Sequence, residues 1–352
     1  MTDQSKIEWT DFTVNFWEGC QKVGPGCDNC YAEARDIRFT GGSHWGPGAP
    51  RRKVKGGIAK LRKINREAEE FRAKHGHWPR VFCSSLSDIF DNAIDPAWRD
   101  EALREIGVST STRVQLLTKR VGNVEAMIRD NWKTLAWPQH VGLMVTVVNQ
   151  TEAERDIPKL IELKVRCGIP WVGLSIEPLL APISLRWLNV FPENAPYTAQ
   201  KSPDGTNEFD GLRRIDWVIV GGESGPNARP MHPAWAQQLR CQCDEADVPF
   251  FFKQWGEYLH ESCFNPHCGW SPKVIEQDGE RYMKAGGPVM KDRRPIRQRL
   301  AEFYTEDEFD RWIYEPHPQL GGLSAAHVID YHQDGMERVH EIIGRLESGG
   351  YL

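Results

Sequence analysis

Three thiols, three glycines and a proline share one short stretch, Gly19-Cys20-Gln21-Lys22-Val23-Gly24-Pro25-Gly26-Cys27-Asp28-Asn29-Cys30-Tyr31. Six residues separate Cys20 from Cys27 and two separate Cys27 from Cys30, so a bend at Gly24-Pro25-Gly26 can bring the three sulfurs to one centre. Two metal chemistries use such a set. A structural zinc takes four protein ligands, which here would call for a fourth such as His44 or Cys83. A four-iron cluster held by three thiolates keeps one iron open to an outside ligand, because full ligation takes four. Spacing leaves both readings open. The position of the triad, at the start of a barrel-like chain on which polar strand ends converge, favours the cluster.

Other residues carry chemistry in weaker patterns. Gly221-Gly222-Glu223-Ser224-Gly225-Pro226 would let a ligand approach bare backbone, or would simply make a tight turn from strand to helix. Glu223 with Arg229 offers a carboxylate and a guanidinium suited to a zwitterion. Glu177, before Pro178, reads either as a structural partner or as an acceptor for a ligand amine or hydroxyl. Lys119, Arg120 and Lys253 offer cations to a carboxylate or phosphate, with solvation as the plain alternative. Cys83 and Cys167 read as small core residues, and Cys241 and Cys243 do not share a helix face. Cys263 and Cys268, with His260 and His267, have loose ligand-like spacing for a second metal. The stretch from Thr40 to Gly57 holds His44, Trp45, Arg51, Arg52, Lys53 and Lys55, and reads as a solvated loop rather than a phosphate-gripping lid.

These residues need a scaffold, and the chain repeats one theme. Short apolar runs at Val81–Ser84, Val114–Leu117, Val141–Val148, Trp171–Ser175, Trp217–Val220 and Pro249–Phe252 each end in polar residues, and helical stretches follow. The aromatic, β-branched segment from Ile7 to Trp17 adds a first strand that delivers the cysteine loop, and Tyr31–Phe39 a helix whose positive N-terminal end would face the thiolates. Seven near-continuous apolar strands predict an α/β fold, a full or partial parallel (β/α) barrel. Ser84, Asn149, Ser175, Glu177, Gly221, Gly222 and Glu223 would then surround one mouth together with the cysteines. The turn-rich stretch between Leu185 and Arg214 reads as an insertion. The organisation expected is a barrel over residues 1–256, an irregular connector over 257–299 and a small helical appendage over 300–352.

The chain has 352 residues, 40% hydrophobic and 26% charged, with a net charge of −5. That balance excludes a global nucleic-acid or membrane signature, so any such contact must be local. No apolar run approaches the ~18 residues of a membrane span. The first residues, Met1 to Lys6, precede no apolar run either, so a cytoplasmic protein is expected. Nine unevenly spaced cysteines argue against a disulfide framework.

Five ordered motifs, Glu18-Gly19-Cys20 through Glu33, Leu117-Thr118-Lys119-Arg120, Ser175-Ile176-Glu177-Pro178-Leu179-Leu180, Gly221 to Arg229, and Phe252-Lys253-Gln254-Trp255-Gly256, resemble the phage-associated three-Cys-motif family, a domain of unknown function. The resemblance covers about residues 5 to 256. That family is in turn similar to radical S-adenosylmethionine enzymes, although the six-residue first spacing departs from their common three. The resemblance implies a [4Fe-4S] cluster on Cys20, Cys27 and Cys30, with S-adenosylmethionine chelating the open iron, and reductive cleavage to a 5′-deoxyadenosyl radical that abstracts a substrate hydrogen. It places Tyr31 on the adenine side and Ser84, Asn149, Ser175, Glu177 and Glu223 around the methionine and ribose. It assigns no catalytic proton-transfer residue. It implies an external one-electron donor of flavodoxin or ferredoxin type and no membrane partner. The phage association and the basic stretches Arg51–Lys55 and Lys291–Arg299 suggest a nucleoside, nucleic acid or modified-base intermediate as substrate, with a zinc-dependent nucleic-acid-binding protein as the alternative. The tail from Trp312 to Gly350 resembles the small helical domain of antitoxin-type proteins, which implies a protein partner or self-association.

Overall fold

The computed structural model describes residues 4–128, 131–132, 137–189, 208–225, 227–260, 274–277, 279–284, 300, 305–331, 335, 338–339 and 342–343. The chain divides into two compact units, Met1–Phe251 and Phe252–Leu352.

Seven strands pass through that sheet in chain order: β1 (Phe12–Thr13), β2 (Arg80–Cys83), β3 (Arg113–Thr118), β4 (Val141–Thr146), β5 (Val172–Ile176), β6 (Trp217–Gly221) and β7 (Phe250–Gln254). The pairings from β1 to β6 are parallel. Every residue of β4 and β5 is buried, as expected where helices cover a parallel sheet. The crossovers carry α1 (Tyr31–Thr40), α2 (Gly57–Arg66), α3 (Ala68–His75), α4 (Pro96–Val108), α5 (Val124–Ile128), α6 (Gln150–Cys167) and α7 (Pro233–Ala246). Their starts follow local chemistry. Asp95 accepts from Ala97 N with Pro96 in the first turn of α4, and Asn149 accepts from Glu152 N at α6.

The sheet is curled. Trp9 before β1, Phe82 on β2, Met144 on β4, Ile219 on β6 and Phe251 on β7 form one buried cluster, joined by Leu117, Trp171 and Trp217. A flat sheet cannot bring residues beside its first and last strands together. Trp9 lies 4.8 Å from Phe82 and 6.2 Å from Trp217, ring centre to ring centre. At Gly142 a Cβ would sit 1.9 Å from the Trp171 indole, so the missing side chain makes room for that ring. Among the described residues β1 and β7 are not hydrogen-bonded neighbours, and the architecture is a partial barrel with an aromatic floor.

Two expectations about the first unit change. The segment expected as one strand from Ile7 to Trp17 contributes only Phe12–Thr13 to the sheet. Thr10 N turns back to Ile7 O, the Trp9 ring enters the interior, and Trp17–Glu18 pairs antiparallel with Arg52–Lys53. The stretch from Thr40 to Gly57 is not simply a solvated loop, because Arg51 is buried within it.

In the second unit, the connector expected to be irregular contains a three-stranded antiparallel sheet, Tyr258–His260, Val274–Gln277 and Glu280–Lys284. Farther on, α8 (Glu306–Tyr314) opens with a reciprocal Thr305/Glu308 capping box, and α9 is Ala325–Tyr331. Leu300, Phe309, Ile313, Leu320, Val328, Ile329, Val339, Ile342 and Ile343 share one core there. Among the described residues, no helix is long and apolar enough to cross a membrane.

Candidate functional site

The cysteine loop leaves the Trp17–Glu18 strand through Gly19. This residue sits at φ +106°, and a Cβ on it would lie 2.4 Å from the His44 carbonyl, so the position demands glycine. Pro25–Cys27 makes one 3₁₀ turn, closed by Cys27 N on Gly24 O and Asp28 N on Pro25 O. Cys30 is the N-cap of α1, and its sulfur makes no capping bond. Its thiol therefore stands beside a helix N-terminus. At Gly26 a Cβ would lie 2.7 Å from Val148 Cγ1 and 3.5 Å from Lys119 Cε, which shows how closely the turn lies against the ends of β3 and β4.

Two polar assemblies hold this loop. On one side, Arg229 donates from Nη2 to Pro25 O at 2.8 Å and from Nη1 to Asp28 at 3.1 Å, while Asn29 donates to Glu223 at 3.0 Å and to Asn227 O at 2.8 Å. Arg229 and Glu223 are themselves paired, with Nη2 to Oε1 at 2.6 Å. Burial would raise the Glu223 pKa, but the Arg229 and Asn29 hydrogen bonds outweigh it and hold the carboxyl below its usual range. The Gly221–Arg229 motif thus clasps the cysteine turn.

On the other side lies a buried set of two arginines and two aspartates. Asp88 accepts from Thr118 Oγ1, Lys119 N and Arg120 Nη1 at 2.9–3.0 Å. Arg120 continues to the loop, with Nη2 on Gln21 O at 2.8 Å and Nη1 3.5 Å from Cys20 Sγ. Asp91 lies 3.8 Å from Arg120 and pairs at 2.9 Å with Arg51, whose side chain is 1% exposed. Arg51 also donates to the carbonyls of His44, Gly46 and Ala49. Burial pushes the Cys20 thiol up to about 11, with Arg120 opposing.

Facing the loop is a polar ledge above the aromatic floor. Thr146 and Ser175 are register partners on β4 and β5, and Lys119 Nζ reaches Thr146 Oγ1 at 3.4 Å. Ser175 donates to Glu177 at 3.2 Å. Tyr31 is 61% exposed overall, yet its hydroxyl donates to Ser85 O at 2.5 Å. Burial of that hydroxyl, then the charges of Cys30 and Glu177, raise its pKa. Ser84 is buried, and its Oγ has no hydrogen-bond partner among the described residues.

The expected site residues divide accordingly. Tyr31, Ser84, Ser175 and Glu177 lie at strand ends or beside the loop, as just described. The Asn149 side-chain oxygen caps α6, and Gly221 O accepts from Leu179 N, with Gly222 buried next to it. Glu223 grips the loop. His44 is tied to Asp36 at 3.0 Å, and Cys83 is fully buried inside β2. Of the cations in the Arg51–Lys55 stretch, Arg51 pairs with Asp91, Arg52 with Glu18 and Lys53 with Glu101. In the second unit, His260 pairs with Glu280 at 3.0 Å. Cys263, His267, Cys268 and the Lys291–Arg299 stretch lie outside the described residues. Reasoning from sequence missed Asn29, Asp91 and Thr146 as parts of the site. Asp-x-x-Asp at 88–91, in the segment that follows β2, was the available signal for Asp91.

Residues 4–317 match the model of the family described as protein of unknown function (DUF5131), and the chain belongs to that family. Residues 300–349 match the model described as the antitoxin Xre/MbcA/ParS C-terminal toxin-binding domain. No curated relative matches the sequence. Among solved structures, the chain is similar to a spore photoproduct lyase mutant with bound AdoMet and dinucleoside spore photoproduct, at 13% identity and TM-score 0.36 over 85% of this chain and 73% of that one. It is also similar to spore photoproduct lyase complexed with dinucleoside spore photoproduct, at 12% identity and TM-score 0.35 over 86% and 76%. Likeness at that distance carries no argument about chemistry.

Proposed function

We propose that the protein is a radical S-adenosylmethionine enzyme, with Cys20, Cys27 and Cys30 as the three protein ligands of a [4Fe-4S] cluster. The observation that carries the reading is the double clamp on the three-cysteine loop at the C-terminal rim of a parallel half-barrel, with Arg229 and Asn29 on one side and Arg120 on the other. Strand C-termini are where barrel enzymes place their chemistry. The donor set suits the cluster: three thiols on one loop, a helix N-terminus at Cys30, and the Ser84 hydroxyl after β2, without a hydrogen-bond partner among the described residues.

When bound, the cluster and S-adenosylmethionine supply one-electron reductive cleavage of the sulfonium bond. The chain's own residues position and shield. The close approach at Gly26 keeps the turn against Val148, and the Trp9, Trp171 and Trp217 floor excludes water from below. Ser84, Ser175 and Glu177 are the groups proposed to take a ligand's amine and hydroxyls. Lys119 with Thr146 makes a cation-and-hydroxyl pair suited to a carboxylate or phosphate. A nucleoside, nucleic acid or modified-base intermediate is the substrate class to assay first.

Iron and sulfide analysis of anaerobically purified protein tests the reading. About four of each per chain are expected, with loss of the cluster in a folded Cys27→Ala variant. Stoichiometric zinc without sulfide would sink it.

A further inference from the structure

The three cysteines are not equivalent. Among the described residues, Cys20 is the one whose sulfur accepts a hydrogen bond from a charged donor, Arg120 Nη1 at 3.5 Å. That guanidinium is locked in place by Asp88 at 3.0 Å, by Gln21 O at 2.8 Å and by Asp91 at 3.8 Å. Its side chain is 7% exposed, so water screens it little. The four buried charges Arg51, Asp91, Arg120 and Asp88 balance, and the cation nearest the sulfur is fixed within that set.

We infer that Arg120 sets the reduction potential of the metal cluster by stabilising negative charge on the Cys20 sulfur. The inference rests on the cluster reading proposed above and concerns this chain's residue rather than the superfamily's common ligands. Reduction adds one electron to the cluster. A fixed cation and a hydrogen bond at a ligating sulfur both stabilise the reduced form, and net charge and hydrogen bonds to sulfur are the levers that set such potentials. Arg120 is therefore a positioning and tuning residue, distinct from Arg229, whose guanidinium serves the Pro25 carbonyl and the carboxylates of Asp28 and Glu223.

The test is a redox titration of reconstituted protein, followed by electron paramagnetic resonance of the reduced cluster. Arg120→Gln is expected to move the midpoint to a more negative potential, raising the oxidised-to-reduced ratio at fixed potential about tenfold, or about 59 mV for one electron. Arg120→Lys, which keeps the charge and loses the fork, is expected to fall between. Because Arg120→Gln leaves Asp88 buried without its cation, Arg120→Gln with Asp88→Asn provides a variant without an orphaned carboxylate, and a smaller shift in the same direction is expected there, since the lost anion offsets part of the lost cation while the hydrogen bond to the Cys20 sulfur is gone in both. A wild-type midpoint in a variant of wild-type iron and sulfide content overturns the inference while leaving the cluster intact. A wild-type protein that takes up no cluster overturns the underlying reading as well.

Discussion

Arg229 and Glu223 are joined by three hydrogen bonds, from the Arg229 backbone N at 2.8 Å, Nε at 2.9 Å and Nη2 at 2.6 Å, and the same guanidinium reaches the cysteine turn at Pro25 O. Glu223, expected from sequence to take a ligand, anchors the arginine that holds the cysteine loop. Arg229→Ala should free that turn. Hydrogen bonds to charged groups contribute about 1.5–3 kcal/mol, so amide exchange over residues 24–30 should accelerate roughly tenfold to a hundredfold while the β4 and β5 amides keep their protection.

The clasp also has a definite pH dependence. The Glu223 carboxyl titrates below its usual value in the folded protein, since hydrogen bonds from Arg229 and Asn29 outweigh burial. Its contribution to stability is therefore complete above the ordinary glutamate pKa of about 4.3 and is lost as pH falls through the lower folded value. The stability difference between wild type and Glu223→Gln, from denaturant titration, should be flat from neutral pH down to about 5 and should shrink only below about 4.

Arg51 and Asp91 form an ion pair sealed from water, with side chains 1% and 0% exposed. Removing one partner strands a buried charge. Asp91→Ala should destabilise the first unit by about 3–5 kcal/mol, read from denaturant midpoints, whereas an apolar replacement of both residues should recover part of that loss.

The close approach at Gly26 predicts a contrast between two alanine substitutions. A Cβ at Gly26 would meet the stiff Val148 side chain at 2.7 Å, whereas one at Gly122 meets nothing within 4 Å. Gly26→Ala should cost about 1–3 kcal/mol as overpacking and should lower iron retention, while Gly122→Ala should leave iron retention unchanged.

Much of the scaffold was legible because apolar runs buried on both faces announce parallel strands: the expected runs at Val81, Val114, Val141, Trp171, Trp217 and Pro249 each fall on a strand of the sheet. Less was legible where tertiary packing overrides propensity. The β-branched, aromatic segment around Trp9 leaves the strand conformation because its indole fills the barrel interior. Arg51 looks like one of several solvated cations until Asp91, forty residues away, is seen to neutralise it. The hairpin of Val274–Gln277 and Glu280–Lys284 was overlooked although Asp278-Gly279 is a strong turn signal, because its strands lack a long apolar run. At the site, the three cysteines stand out by spacing, but whether a polar residue at a strand end faces a ligand or caps a helix, as Asn149 does, depends on backbone geometry that spacing does not encode.

The most direct test of the central claim is reductive cleavage of S-adenosylmethionine by the anaerobically reconstituted protein. The account predicts 5′-deoxyadenosine and methionine on addition of a low-potential reductant, and no product from Cys20→Ala, Cys27→Ala or Cys30→Ala. A protein that carries a full complement of iron and sulfide yet leaves S-adenosylmethionine intact under those conditions would contradict it.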